Sequence, residues 1–352
     1  LTGIQEGRHP HAPLISEITG SNTEANTLLG LHRIGSTTRT GSTWNNGYPD
    51  RSRFVIINED YNHGTLKLNA RKLTVNNKLG IENLLVVTND VVFGVSGEIR
   101  LIDASNSSNA QLIQTHTSAS LVSGDGKLLV DQNSSVPSLY RYNYMGSPVI
   151  SASGATTYTI SDIFKDGTSP TSFAGIINTN IAKDITFLTG TNFDGDTTDP
   201  ITLADYWMYT YASSDGGGAS WVQKRSGTAI PNTDGFIFKG PGRAQNYTFL
   251  GIPKDGTITT SVGASESYLV ANPYTSAISV KEFIEDNISA ITGTLYFWKH
   301  ANEIVSSGID GHFFAGYIGG YATRTITTGV TAKAENLSGE TGLIDVTLEA
   351  EA

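Results

Sequence analysis

Short runs of apolar residues, separated by turn pairs, fill the chain from position 54 to position 130. The runs read FVII, TLKLNA, KLTV, LLVV, VVF, EIRLI, AQLIQ and KLLV. Asn-Asn, Asn-Asp, Ser-Gly and Asp-Gly pairs lie between them, and such pairs are typical of tight turns between strands. The runs follow one another closely but without a strict period. This pattern predicts a succession of short β-strands.

Two architectures fit such a succession. In a β-solenoid each coil stacks on the previous one and buries a continuous inner row of side chains. In a meandering sandwich the same strands pair with their neighbours in sequence. We favour a solenoid-like region over residues 44–136, because every run contains apolar residues and no long loop interrupts them. Residues 1–43 are interpreted as a lead-in or the tail of a preceding domain.

Past Pro137 the predicted strands become longer and more aromatic. Aromatic residues alternate with other residues, which places each set on one face of a sheet. This region, residues 137–352, is predicted to be a β-sandwich or jelly-roll-like domain, and the whole chain is predicted to be all-β. One short helix is expected near 280–290, because Ser279 and Glu282 have the spacing of a capping box. The alternating sets are Tyr140, Tyr142 and Tyr144; Phe236 and Phe238; Tyr247 and Phe249; and Tyr296 and Trp298.

Composition supports this fold class and excludes several functions. Among 352 residues there are 38 glycines, and only 16% are charged, which suits a β-protein with many tight turns. A net charge of −10 argues against nucleic-acid binding, which needs clustered Lys and Arg. No apolar run approaches the ~20 residues of a spanning helix, so membrane insertion is not expected. The chain contains no cysteine, which excludes disulfides and cysteine-based zinc sites.

No catalytic motif stands out in the sequence. The seven histidines are scattered without an HExxH pattern, and no GxSxG nucleophile elbow is present. Glu282, Glu285 and Asp286 are interpreted as the solvated face of the predicted helix. We therefore expect a protein that is not an enzyme. A hydrolase would need a cleft with paired carboxylates of perturbed pKa.

One acidic loop is a candidate metal site. Asp194, Asp196 and Asp199 lie within six residues of a predicted loop, and Ca²⁺ prefers several oxygen ligands at once. The alternative is an ordinary acidic turn, in which Asp side chains bond their own backbone. Calcium is therefore a possible cofactor of this loop.

Exposed aromatic residues are a candidate binding surface for sugars, whose faces stack on aromatic rings. Tyr317 and Tyr321 lie in a Gly-rich GYIGGY segment, and we expect them to be exposed and to bind a ligand. Trp221 and Trp298 are expected to lie in the core. Other candidates for either role are Trp44, Tyr48, Trp207 and Tyr209.

A segment near the C-terminus resembles a known signature. Residues 268–300 read YLVANPYTSAISVKEFIEDNISAITGTLYFWKH. This resembles a segment that recurs in large surface proteins exported by Bacteroidota, the flavobacteria in particular. Ala271 stands where that segment usually has Gly, and Thr275 where it usually has Pro. Further similar segments, in the same order, are WNNGYPDRSRFVII from Trp44, AQLIQ from Ala110, YRYNYMGSPV from Tyr140 and WVQKRSGTAIPNTDGFIFKG from Trp221.

The resemblance implies export by type IX secretion to the cell surface or the medium. It leads us to expect a non-enzymatic structural or adhesive protein that associates with itself, for example as filaments, or with other surface proteins. The alternative is a glycan-binding module of a secreted polysaccharide-degrading protein. Asp196-Thr197-Thr198 also resembles an O-glycosylation site of such proteins, which competes with the calcium interpretation. The sequence shows no signal-peptide pattern, so we expect a processed or internal piece of a longer protein.

Overall fold

The fold was analysed in a computed structural model that describes residues 36–103, 110–116, 121–134, 136–167, 182–214, 217–300, 319–335 and 341–343. The strands of the first part, in chain order, are β1 Ser36–Thr40, β2 Thr43–Trp44, β3 Phe54–Ile57, β4 Tyr61–Gly64, β5 Leu68–Ala70, β6 Lys72–Val75, β7 Lys78–Ile81, β8 Leu84–Val87, β9 Val91–Phe93, β10 Glu98–Leu101, β11 Gln111–Gln114, β12 Val122–Gly124 and β13 Lys127–Ser134.

These strands wind into a parallel β-solenoid with three faces. One face contains β1, β3, β6, β9 and β12, a second contains β4, β7, β10 and β13, and the third contains β5, β8 and β11. Neighbours on each face are parallel, as in β3 and β6, where Val55 lies opposite Leu73. The chain visits the three faces in turn before it returns to the first. The favoured solenoid is therefore confirmed, and the meander is wrong.

The first coils of the solenoid repeat about every 18 residues, and the later coils are longer, with 29 residues between the stacked partners Glu98 and Lys127. Asn76 Nδ2 donates to Asn58 Oδ1 at 2.7 Å, and Asn83 Nδ2 donates to the Thr65 carbonyl at 2.8 Å, each across 18 residues. Inside the coils, stacked side chains such as Leu73 are fully buried. Burying one such side chain stabilises the fold by about 1.5–3 kcal/mol. Apolar side chains stacked inside the coils, and hydrogen bonds from Asn side chains at the corners, thus hold successive coils in register.

In the described residues of the second part there are two α-helices, a 3-10 helix at Asp205–Trp207 and strands of two to nine residues. The α-helices are α1, Ile160–Ile163, and α2, Val280–Asn287. The strands are β14 Tyr142–Met145, β15 Val149–Ile150, β16 Thr157–Tyr158, β17 Phe164–Asp166, β18 Lys183–Asp184, β19 Thr186–Leu188, β20 Thr202–Ala204, β21 Tyr209–Ser214, β22 Gly217–Gln223, β23 Ile230–Pro231, β24 Phe236–Lys239, β25 Gln245–Pro253, β26 Leu295–His300, β27 Gly319–Arg324, β28 Gly329–Val330, β29 Lys333–Glu335 and β30 Thr341–Leu343.

Two sheets of this part pack on an aromatic core, as in a sandwich. A four-stranded sheet has the order β14-β24-β21-β22, and its Phe236 and Phe238 point inward. Phe164 on β17 meets Phe238 at 5.2 Å between ring centroids and stacks on Tyr247 of β25 at 4.7 Å. The alternation of Phe236 with Phe238 and of Tyr247 with Phe249 therefore marked core faces. The predicted all-β fold, a solenoid followed by a sandwich, is confirmed.

The solenoid and the sandwich share one sheet. Strand β13 is parallel to β10 in the last coil and antiparallel to β25 in the sandwich, where Asp131 lies opposite Thr248. The buried side chains of both parts form one continuous cluster. Strand β1 pairs with β3, so the first face begins ahead of residue 44. Because sheet and core cross residue 136 without a break, the sandwich covers one end of the solenoid.

The turn at Asn272 docks the C-terminal part back onto the solenoid. Asn272 Oδ1 accepts from the Tyr274 backbone N–H at 3.1 Å, which closes the turn. Thr275 Oγ1 then donates to the Leu112 carbonyl at 3.1 Å, and the Ala277 backbone N–H donates to Gln111 Oε1 at 2.9 Å. Two segments that carry the family resemblance, AQLIQ and NPYTSA, thus contact each other.

Helix α2 follows this turn and begins as predicted. Ser279 is its N-cap, and its side chain accepts from the Glu282 backbone N–H at 3.3 Å. Of the helix residues only Ile284 is buried, and the acidic side chains are exposed. The interpretation of Glu282, Glu285 and Asp286 as a solvated face is confirmed.

Candidate functional site

An exposed group of aromatic rings lies where the sandwich meets the three-stranded sheet of β26, β27 and β28. We call it the aromatic strip. Several rings expose a large fraction of their surface: 64% for Tyr296, 51% for Tyr321 and 42% for Trp221. Large aromatic side chains are usually buried, so a group of exposed ones is a candidate binding surface. Its members are Tyr144, Tyr211, Trp221, Tyr296, Trp298 and Tyr321.

Strand alternation places these rings on two facing surfaces. On the four-stranded sheet, Trp221 lies 5.1 Å from Tyr211 and 6.4 Å from Tyr144, between ring centroids. On the three-stranded sheet, Tyr321 lies 5.0 Å from Trp298 and 6.3 Å from Tyr296. These contacts are edge-to-face, an arrangement that rings prefer and that leaves some ring faces open to a ligand.

The two groups of rings are neighbours. Burial raises the pKa of the Tyr144 hydroxyl, and the nearby Tyr321 hydroxyl raises it further. Burial also raises the pKa of Tyr321, with a further contribution from Tyr211. The raised pKa values keep the hydroxyls of Tyr144 and Tyr321 neutral over the whole physiological pH range.

A histidine joins the two sheets and orients Trp298. The Trp298 indole N–H donates to His300 Nδ1 at 3.3 Å, so that nitrogen is an acceptor. The other ring nitrogen, Nε2, lies 2.8 Å from the Tyr142 carbonyl oxygen and must donate to it. Burial lowers the pKa of His300 and so favours the neutral form that this arrangement requires. His300 thereby holds β26 against β14.

A buried lysine lies on the same outer face, beside the strip. The Lys239 ammonium is 3.6 Å from the Trp207 ring centroid and 5.5 Å from that of Tyr142, and the residue is only 3% exposed. Burial disfavours the charged form and lowers its pKa to about 8, although Asp194 acts in the opposite direction. The ring faces attract the ammonium, which partly offsets the cost of burial.

We expect the depressed pKa of Lys239 to make stability rise with pH. Between about pH 8 and the ordinary lysine pKa of 10.5, the unfolded chain binds more protons at this position than the folded chain. The free energy of unfolding should therefore gain up to about 3 kcal/mol across that window. In urea titrations at pH 7.5, 8.5 and 9.5, Lys239→Met should remove this gain, while Lys281→Met on the exposed helix face should retain it. If the free energy of unfolding rose equally with pH in the parent, Lys239→Met and Lys281→Met, the prediction would be contradicted.

In the acidic loop, the carboxylates of Asp194, Asp196 and Asp199 each interact with a different group. Asp199 pairs with Lys183, at 2.6 and 2.7 Å from the ammonium nitrogen. Asp196 Oδ1 accepts from the Thr197 backbone N–H at 2.6 Å. The negative charge of Asp194 favours the charged form of Lys239 and so raises the pKa of that lysine. Within the described ranges no group of three or more acidic or histidine side chains is placed to hold a metal ion. Calcium at Asp194, Asp196 and Asp199 stays a prediction.

The aromatic residues singled out from the sequence divide between surface and core. Tyr321 lies in the strip, as expected for an exposed residue, whereas Tyr317 lies outside the described residues. The core position expected for Trp221 is wrong, because this side chain is 42% exposed, and Trp298 is only half-buried. Trp207 is buried, and Tyr48 is exposed at the far end of the solenoid. Sequence reasoning did not single out Tyr144, Tyr211 and Tyr296 as candidate binding residues, although the alternation of Tyr144 and of Tyr296 was visible.

Comparison with known proteins adds one finding. Residues 189–347, which include most of the strip, match a family model described as a domain of unknown function (DUF8693). The match covers somewhat less than half of the chain. No curated protein and no solved structure matches this chain. The helices in the described part are too short and too polar to cross a membrane.

Proposed function

We propose that this chain is a non-enzymatic adhesive or structural module of an extracellular protein on the surface of a Bacteroidota bacterium. The surface location and the type IX route rest on the sequence resemblance. The observation that supports an adhesive function is the aromatic strip, with four large rings that are each more than one-third exposed. Its rings lie on paired strands, so little conformational entropy is lost when a partner binds.

The architecture supports the same proposal. A solenoid and a sandwich that share strand β13 and one buried core form a rigid support. A rigid support holds a contact surface away from whatever anchors the chain. Adhesive function needs this geometry, whereas catalysis would need converging reactive groups.

Glycan binding is a second candidate, and the composition of the strip favours it. Tyr and Trp rings stack on the C–H faces of sugars, and tyrosine hydroxyls can bond sugar hydroxyls. Polysaccharides at the cell surface would be natural partners for such a neutral aromatic site. This candidate differs from the first only in the nature of the partner.

A bead-adhesion assay tests both. We expect polystyrene beads coated with the protein to adhere to glass coated with cellulose, chitin or agarose, or to glass coated with a protein layer. The double variant Tyr296→Ser with Tyr321→Ser should adhere at least tenfold less, because it removes the two most exposed rings of the strip. Tyr48→Ser, which removes an exposed ring at the other end of the chain, is the matched control and should adhere as the parent does.

The result of this assay distinguishes a glycan partner from a protein partner. Adhesion that soluble oligosaccharides compete away would identify a glycan partner, whereas adhesion only to the protein layer would identify a protein partner. If the double variant adhered as well as the parent on every surface, the strip would not be the contact surface and the proposal would be wrong.

A further inference from the structure

Among the described residues, strand β22 is the last strand of the four-stranded sheet and forms an open edge. It lies at the end of the order β14-β24-β21-β22, and β21 is its partner on one side. Its sequence, GGASWVQ, contains no charged residue and no proline. Exposed edge strands normally carry such residues, because an unprotected edge pairs with other chains. An edge of this length without them is therefore unusual.

The hydrogen-bond pattern shows which backbone groups of β22 point outward. The Lys224 N–H donates to the Met208 carbonyl at 2.8 Å, so Lys224 and Met208 form a hydrogen-bonded pair. In an antiparallel ladder such pairs alternate with pairs that do not bond each other. Residues 222 and 220 therefore also bond β21, and the N–H and C=O groups of Ala219, Trp221 and Gln223 point away from it. No described residue bonds these outward groups.

The side chains of the same residues fit a second copy of this strand. A two-fold axis at Trp221 would place residue 221 opposite 221 and residue 219 opposite 223 in hydrogen-bonded pairs. No like charges would meet across this axis, because β22 has none. The half-exposed Trp221 ring would lie against the Trp221 ring of the second copy, and Lys224 would lie opposite a glycine at position 218, which leaves room for it.

We propose that two copies of this chain pair antiparallel through β22, about a two-fold axis at Trp221, to form an eight-stranded sheet. The sheet brings the aromatic strips of both copies together on one face, which doubles the contact surface and increases the avidity for a repetitive partner. This proposal rests on the proposed adhesive function for its purpose, but its geometry is tested separately.

Cysteine cross-linking tests the register, since the natural chain contains no cysteine. In the double variant Ala219→Cys with Gln223→Cys, each new thiol lies opposite a thiol of the second copy. The Cα atoms of a hydrogen-bonded pair are about 5.5 Å apart, which suits a disulfide. Each single variant is a matched control, because equivalent residues of the two copies would lie about 13 Å apart along the strand. We expect the double variant to cross-link as a dimer under mild oxidation and the single variants to stay monomeric on non-reducing gels.

Sedimentation of the full chain at about 100 μM supplies the second measurement. We expect a dimer for the parent and at least tenfold weaker dimerisation for Trp221→Lys, which places like charges directly opposite each other. Tyr296→Lys, at a more exposed position that lies on β26 rather than on β22, should remain dimeric. A monomeric parent, cross-linking of the single variants, or equal dimerisation of Trp221→Lys would each overturn the proposal. Adhesion that still depends on Tyr296 and Tyr321 in a monomeric parent would overturn the dimer and leave the proposed function standing.

Discussion

Replacing Arg100 with Met should lower the free energy of unfolding by about 3–5 kcal/mol. Arg100 and Asp131 are fully buried and meet in two hydrogen bonds, Nε to Oδ2 at 3.0 Å and Nη2 to Oδ1 at 2.7 Å. Thr248 Oγ1 also donates to Asp131 at 2.7 Å, and Arg100 Nη2 donates to the Gly167 carbonyl at 3.2 Å. The variant leaves the Asp131 carboxylate buried without its positive partner.

The cost arises at the junction of the solenoid with the sandwich. Arg100 lies on β10 in the last complete coil, Asp131 on the shared strand β13, and Thr248 on β25 in the sandwich. Urea unfolding followed by far-UV circular dichroism measures the effect. Arg100→Met combined with Asp131→Leu should recover most of the loss, because an apolar pair leaves no uncompensated charge.

The surface pair of Lys281 and Glu285 supplies the control. Their charged atoms are 3.9 Å apart on the exposed face of α2, and Lys281→Met should cost less than about 0.5 kcal/mol. A loss below about 1 kcal/mol for Arg100→Met would contradict the importance that we give to the buried pair.

Replacing Phe164 with Ala should also cost about 3–5 kcal/mol, because it leaves a cavity in the aromatic core. Phe164 is fully buried and contacts four other rings. Their centroids lie at 4.7 Å for Tyr247, 5.1 Å for Phe249, 5.2 Å for Phe238 and 5.8 Å for Phe236. Thermal and urea unfolding of the variant measure this loss.

Two further variants make this test specific. Phe164→Leu retains most of the apolar volume and should cost about 1.5 kcal/mol. Phe54→Ala removes a ring that is 47% exposed on the solenoid and should change the free energy of unfolding by less than about 0.5 kcal/mol. Equal losses for Phe164→Ala and Phe54→Ala would show that the ring cluster does not dominate the sandwich core.

The regular features of the fold could be predicted because they depend on local patterns. The apolar runs from FVII to KLLV became the stacked strands, and the alternation of Phe236 with Phe238 marked a core face. The repeat escaped notice because the coils differ in length: stacked partners are 18 residues apart at Val55 and Leu73 but 29 residues apart at Glu98 and Lys127. The cap at Ser279 could be predicted because it requires only residues within one turn.

The candidate site could be predicted only in part. Tyr321 was identified from its Gly-rich surroundings, but alternation does not say which face of a sheet meets solvent. Trp221 was therefore assigned to the core, although it lies on the outer face of a sheet whose inner face carries Phe236 and Phe238. Arg100 shows the converse case, a residue that the sequence suggests is exposed but that is buried. A charged residue in a short strand suggests a solvated position, yet the sandwich covers it.

The sequence alone determined that the chain is all-β, where the apolar strands of the solenoid lie and where helix α2 begins, because these follow from turn residues, alternation and capping within a few positions. Only the tertiary structure decided that β13 serves both parts, that Arg100 and Asp131 meet at the junction, and that rings from residue 144 to residue 321 form one strip. These features depend on strand pairing between distant segments. Such pairing follows from burial and hydrogen bonding over the whole chain, which no local pattern specifies.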